Sequence, residues 1–205
     1  MQVMRLGRSL LACVAVLSLL GCDEGDPGSN ERATDTRGAY LSVNTTSGGV
    51  SVDAPRHAGE YTATFGSFVL CKGRGVKDVV IDGVRTSSQH EPDQLQVSLR
   101  TGGGSPVASI LGSPPGFSEP YAGQPLDGVI TTEVKGLHVS SSCRQLRRGD
   151  AKDVQELLFT MSTGPNGGDI DKEFIDFTAD GEPRTLPVNW QMVNCGTAYV
   201  DEEFC

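Results

Sequence analysis

Much of what usually announces a function is missing from this sequence. Its three histidines, His57, His90 and His138, lie far apart, which leaves little from which to build a zinc site or a paired catalytic base. No Cys-x-x-Cys, His-Glu-x-x-His, Gly-x-Ser-x-Gly, Ser-x-x-Lys or phosphate-binding glycine loop occurs. The triplet Gly102-Gly103-Gly104 runs into Ser105-Pro106 and not into a helix, so it reads as a connection. Long apolar runs are absent as well. The longest, Leu10 to Leu20, would reach about 16 Å as a helix, against a hydrocarbon core of roughly 30 Å. Positive charge is scarce: 17 Lys and Arg face 26 Asp and Glu, a formal net charge of −9. Such a surface is repelled by nucleic acid and by anionic headgroups, so no nucleic-acid partner is expected. The residues call for no cofactor, no metal and no enzymatic role.

What is present is a β pattern. From Ala39 onward the chain reads as short strands broken by Gly, Pro, Asn and Asp, with hardly a helical period in it. Strands are expected at Tyr40 to Thr46, at Gly66 to Cys71, and at Val76 to Val84, the last ending in an Asp82-Gly83 turn. In Leu95 to Arg100 the alternation puts Leu95, Val97 and Leu99 on a core face. The stretch from Thr101 to Asp127 reads as long connections around a weak strand at Val107 to Leu111. Strand signals return at Val129 to Val139, then comes a polar segment through Cys143 to Asp153, where Asp150 would cap one helical turn. Leu157, Leu158, Phe159 and Met161 read as a buried strand, and Asn166-Gly167-Gly168 as a turn. Ile170 to Thr178 and Arg184 to Val193 flank Asp180-Gly181, the best hairpin signal in the chain, and Trp190 on the second arm is expected to anchor the core. A last strand is expected at Thr197 to Val200. About nine strands at this spacing predict an all-β fold, an antiparallel β-sandwich of immunoglobulin-like build.

The front of the chain has another character. Arg5 and Arg8 precede the apolar run, the order of a secretory signal peptide. The run ends in Leu19-Leu20-Gly21-Cys22, which resembles the lipobox of bacterial lipoproteins. That resemblance implies cleavage before Cys22, acylation of its thiol, and a mature chain held on the cell membrane outside the cytoplasm. Two or more acyl chains anchor stably where one does not. Loss of Arg5 and Arg8 takes the formal charge from −9 to −11. Residues 22–38 then read as a flexible acidic linker that holds the body on the order of 20 Å from the anchor. Residues 39–205 read as a single β-sandwich domain. Phe68-Val69-Leu70-Cys71, the Val79 to Val84 strand and Val193-Asn194-Cys195-Gly196 make the body similar to uncharacterised secreted lipoproteins of high-GC Gram-positive bacteria, a likeness that implies no activity.

Cys71, Cys143, Cys195 and Cys205 form an even set, which outside the cytoplasm reads as two disulfides with three possible connectivities. The preferred pairing is Cys71 with Cys195, both at ends of strand-like runs, and Cys143 with Cys205. His90-Glu91-Pro92-Asp93 reads as an exposed turn. The densest carboxylates are Asp169, Asp171, Glu173, Asp176 and Asp180; on a strand the first three would share a face able to offer oxygen ligands to Ca²⁺. With Phe174 where an EF-hand loop needs glycine, a solvated polar face is the plainer reading. The function expected is a membrane-anchored binding or structural module of the cell envelope with an envelope protein as partner. A single-domain ligand carrier is the alternative, and a carboxylate-using hydrolase is a further one.

Overall fold

Runs rich in Val, Ile, Thr and Phe become strands, because branched and aromatic side chains pack well on a pleated surface. The computed structural model describes residues 32–35, 37–45, 47–54, 59–102, 127–151, 153–198 and 205. In chain order the elements begin with β1 (Ala33–Thr34), β2 (Leu41–Val43), β3 (Ser47–Asp53), β4 (Tyr61–Lys72), β5 (Val79–Ser87) and β6 (Gln94–Thr101). There follow β7 (Val129–Thr131), β8 (Leu137–His138), α1 (Cys143–Arg148) and β9 (Gln155–Thr163). The last are β10 (Gly168–Ile170), β11 (Lys172–Ala179) and β12 (Glu182–Cys195).

Two sheets pack face to face. One runs β2-β4-β9-β6-β7; the other runs β1-β12-β11-β5-β8, with β3 and β10 also pairing with β12. Seven of these strands follow the order of a constant-type immunoglobulin sandwich. β2-β4-β9-β6 stands for its A-B-E-D sheet, and β5-β11-β12 for its C-F-G sheet. The core lies between the sheets. Phe65, Phe68, Leu70, Leu157, Phe159 and Met161 from one face meet Ile81, Ile175, Phe177 and Val188 from the other, all buried. Each such side chain contributes roughly 1.5–3 kcal/mol on leaving water. Phe68 and Phe159 meet edge to face with ring centres 4.8 Å apart. This compact unit, Glu31–Cys205, contains the whole described core and both disulfides.

Two Asp-Gly pairs take opposite roles. Asp180-Gly181 forms the expected two-residue turn between Ala179 and Glu182, with both φ angles positive, at 49° and 92°. Asp82-Gly83, expected to end a strand, lies inside β5. The register against β11 jumps from Gly83 opposite Asp176 to Ile81 opposite Phe177, so Asp82 is the extra residue of a bulge. Its carboxylate receives Arg32 at 2.7 Å and the Thr178 hydroxyl at 3.0 Å, which holds the strand open to continue.

Other expectations shift. Trp190 is half-buried at the sheet edge and not a centre of the core. It faces Gly48 of β3, where a Cβ would come within 2.8 Å of the ring. Leu95 is 36 % exposed, because β6 is drawn into the sandwich only from about Val97 onward. The sheet reaches back into the stretch read as linker: Ala33–Thr34 pairs in parallel with β12, and Arg32 is tied to Asp82. β12 ends at Cys195, with Thr197 and Ala198 in a bend, while the expected strand at 107–111 lies outside the described residues.

The preferred cysteine pairing is corrected. Cys71 bonds Cys143, and Cys195 bonds Cys205. Cys71 and Cys195 end strands of different sheets, whereas α1 brings Cys143 to a Cα separation of 4.8 Å from Cys71. By loop entropy the first bridge, closing 72 residues, contributes about 4 kcal/mol, and the second, closing 10, about 3. Two such bridges place the folded domain in an oxidising, extracytoplasmic setting. Among the described residues no helix is long and apolar enough to cross a membrane.

Candidate functional site

The carboxylates singled out from sequence do not converge. Asp169, buried on β10, is a clasp for the β5–β6 loop: it accepts from the amides of Gln89 and His90 at 2.8 and 3.0 Å, and its Oδ2 lies 3.1 Å from His90 Nδ1. His90-Glu91-Pro92-Asp93 is the exposed loop expected, and Asp169 holds it down. Asp180 caps the amides of Lys77 and Asp78. Asp176 binds Arg85 through both oxygens, and that hydrogen bond holds its carboxyl below the usual range. Burial, and then the charge of Asp169, pushes Asp171 up. Glu173 faces the core from β11 beside Ile175, and burial pushes its carboxyl up to about 9. The amides of Glu173 and Trp190 oppose that shift weakly, although neither carboxylate oxygen is held in a hydrogen bond. Among the described residues no three His, Cys, Asp or Glu side chains come together as metal ligands. His138 pairs with Asp78 at 3.0 Å on the surface; His57 and Cys22 lie outside the described residues.

A different constellation stands out, in the segment expected to be merely polar. α1 begins with a capping box: the Ser142 hydroxyl accepts from the Gln145 amide while the Gln145 side chain accepts from the Ser142 amide. Gly149 ends it at φ 72°, in the left-handed conformation that suits glycine. The Asp150 cap is therefore corrected: Ser142 starts the helix, and Asp150 lies past its end. α1 buries none of its residues. It is held from outside, by the Cys71–Cys143 disulfide and by the Lys72 amide donating to Ser141 at 2.9 Å. Helices normally dock by an apolar face, and this one docks by a covalent bond.

Between α1 and the β4–β5 loop lies a cleft of about 590 Å³. Lys72 and Arg74 line it from one side, and Arg144, Arg147 and Arg148 from the other. Its floor is stiff. The Gly73 amide donates to the Tyr40 carbonyl at 2.8 Å, and a Cβ at Gly73 would overlap the Ala39 carbonyl. The ion pairs of the described residues engage Arg32, Arg85, His90, Arg100 and His138, so none of the four cleft arginines meets a carboxylate. Arg147 and Arg148 stand in the last turn of α1, where cations complement the helix dipole. That accounts for two of the charges. Arg74, on another element, and Arg144, in the first turn, have no such reason to be there. In a chain of net charge −9, five cations around one cleft form a local field of the opposite sign, able to concentrate an anion.

Sequence reasoning passed over these residues, although signals were there. Ser142 and Gln145 have capping-box spacing, and residues 144–148 carry three arginines. What the sequence could not show is that Lys72 and Arg74, some seventy residues earlier, face them.

The fold and the cleft together define a disulfide-braced, immunoglobulin-type sandwich that displays a basic cleft. No known family matches this chain, and no curated protein or solved structure does either.

Proposed function

We propose that this chain is a membrane-tethered binding module of the cell envelope, anchored by acyl chains on Cys22, and that the cleft beside α1 is the face that receives an anionic envelope partner. The observation that carries the reading is the set of four arginines that, among the described residues, pair with no carboxylate in an acidic protein. Unpaired, exposed arginines contribute little to folding, and they are suited to planar, two-pronged recognition of phosphate or carboxylate groups. The lipobox and the polar linker after it support the tether, and the two disulfides agree with that side of the membrane.

Inorganic tripolyphosphate, titrated calorimetrically into the protein, should bind. Binding should weaken steeply with salt and vanish in the combined Arg144→Gln, Arg147→Gln, Arg148→Gln variant. Equal binding by that variant would remove the cleft from the proposal. For the tether, Cys22→Ala should move the protein out of the membrane fraction; an unchanged distribution would overturn it.

A further inference from the structure

α1 has a second side. Next to the basic cleft lies a largely apolar groove of about 310 Å³, lined by Val69, Leu146, Gly149, Ala151 and Val154 together with Asn44 and Arg147. Arg147 lines both spaces, so the groove and the cleft adjoin across one short helix. Val69 and Val154 are buried and Leu146 is partly buried on the helix, which leaves an apolar surface, separate from the core between the sheets, beside Arg147 and the cluster of cations. A small soluble anion would fill the cleft alone. A ligand with a charged head and a hydrocarbon chain would fill both.

We infer that the ligand is an amphiphile with a phosphate head and an acyl or alkyl chain, its head among Arg74, Arg144, Arg147 and Arg148 and its chain against Val69, Leu146 and Val154. The inference rests on the proposed anion-binding role of the cleft and names the chemistry of what enters it. Head and chain are matched to adjoining surfaces of opposite character, basic and apolar. The helix between them has no fully buried residue and is bonded to β4 through Cys71–Cys143, which keeps both walls in place.

The test uses the full chain with both disulfides formed, its fold checked by a cooperative melt. Methyl phosphate, octyl phosphate below its micelle concentration, and octyltrimethylammonium are titrated in turn. Octyl phosphate should bind more tightly than methyl phosphate by on the order of tenfold or more, since the chain leaves water. The uncharged change Leu146→Ser should bring the ratio of octyl to methyl phosphate affinity down toward one; an undiminished ratio would overturn the chain's place against Leu146. Arg74→Gln with Arg144→Gln should weaken both phosphates. Equal affinity for methyl and octyl phosphate would overturn the amphiphile and leave a cleft for free phosphate. Octyltrimethylammonium binding as well as octyl phosphate would overturn it too, because charge would then play no part. If neither phosphate binds, the anion-binding reading falls with it.

Discussion

Among the described residues, Arg32, Arg85 and Arg100 each reach a carboxylate at 2.7–2.8 Å, whereas Arg74, Arg144, Arg147 and Arg148 reach none. The first group stitches strands together. Arg100 and Glu156 face each other across β6 and β9 and are shut away from solvent, with the Ser67 amide on the other oxygen of Glu156 at the β4 bulge and the Asp127 carbonyl on Arg100. Within the other sheet, Arg32, the residue before β1, is tied to Asp82 on β5, and Arg85 ties β5 to Asp176 on its neighbour β11. The second group sits on a helix that buries nothing. In an acidic chain carboxylates are plentiful, so a pair with them marks structure, and a cluster of arginines without them is what the proposed anion site rests on.

Breaking the buried pair should have the largest effect. Glu156→Ala leaves Arg100 charged and enclosed, and should destabilise the domain by about 3–5 kcal/mol in denaturant unfolding. A loss below 1 kcal/mol would show that the pair is solvated. Next comes the bridge under the cleft. Cys71→Ser with Cys143→Ser should lower stability by about 4 kcal/mol and loosen α1, so phosphate binding should fall as well. If binding survives unchanged, the disulfide does not hold the cleft in shape.

Glu173 sharpens the comparison, being a buried acid that pairs with no cation among the described residues. Its folded value of about 9 lies above the unfolded 4.5, so the folded state holds the extra proton. Its contribution is therefore whole below about pH 4.5 and is lost as pH rises to about 9. Glu173→Gln should raise stability at pH 7 by up to about 3 kcal/mol and flatten the decline of Tm over that window. An unchanged Tm profile would mean that the carboxylate is ionised and hydrated. Smaller still is the surface pair Arg85–Asp176. With Arg85 mostly exposed, Arg85→Ala should cost no more than about 1 kcal/mol, less in high salt. Because Asp176 titrates below the usual range when paired, that stability should disappear as pH falls through the acid range, and persistence at acid pH would remove the pair as its cause. The smallest effect belongs to the cleft: Arg144→Ala should move Tm hardly at all while weakening anion binding, and a large drop in Tm would make Arg144 a structural residue.

How much of this could be read from the sequence depended on range. The Leu157–Met161 strand and the Asp180-Gly181 hairpin were legible, since alternation, branching and a two-residue turn act within a few residues of each other. Asp82-Gly83 has the same local chemistry and became a bulge, because Arg32 and Thr178 hold Asp82 from elsewhere in the chain. Trp190 alternated like a core residue, yet its end of β12 meets the glycine-bearing β3 at an edge.

By itself, the sequence determined the all-β class, the sandwich, the presence of two disulfides and the acidic surface, all of which follow from composition and short-range periodicity. Tertiary structure alone decided which cysteines meet, which aspartates cap loops and which bind arginine, and that Lys72 and Arg74 face α1. Those outcomes depend on which distant strand ends the two sheets bring together, and residues some seventy positions apart carry no local pattern that records it.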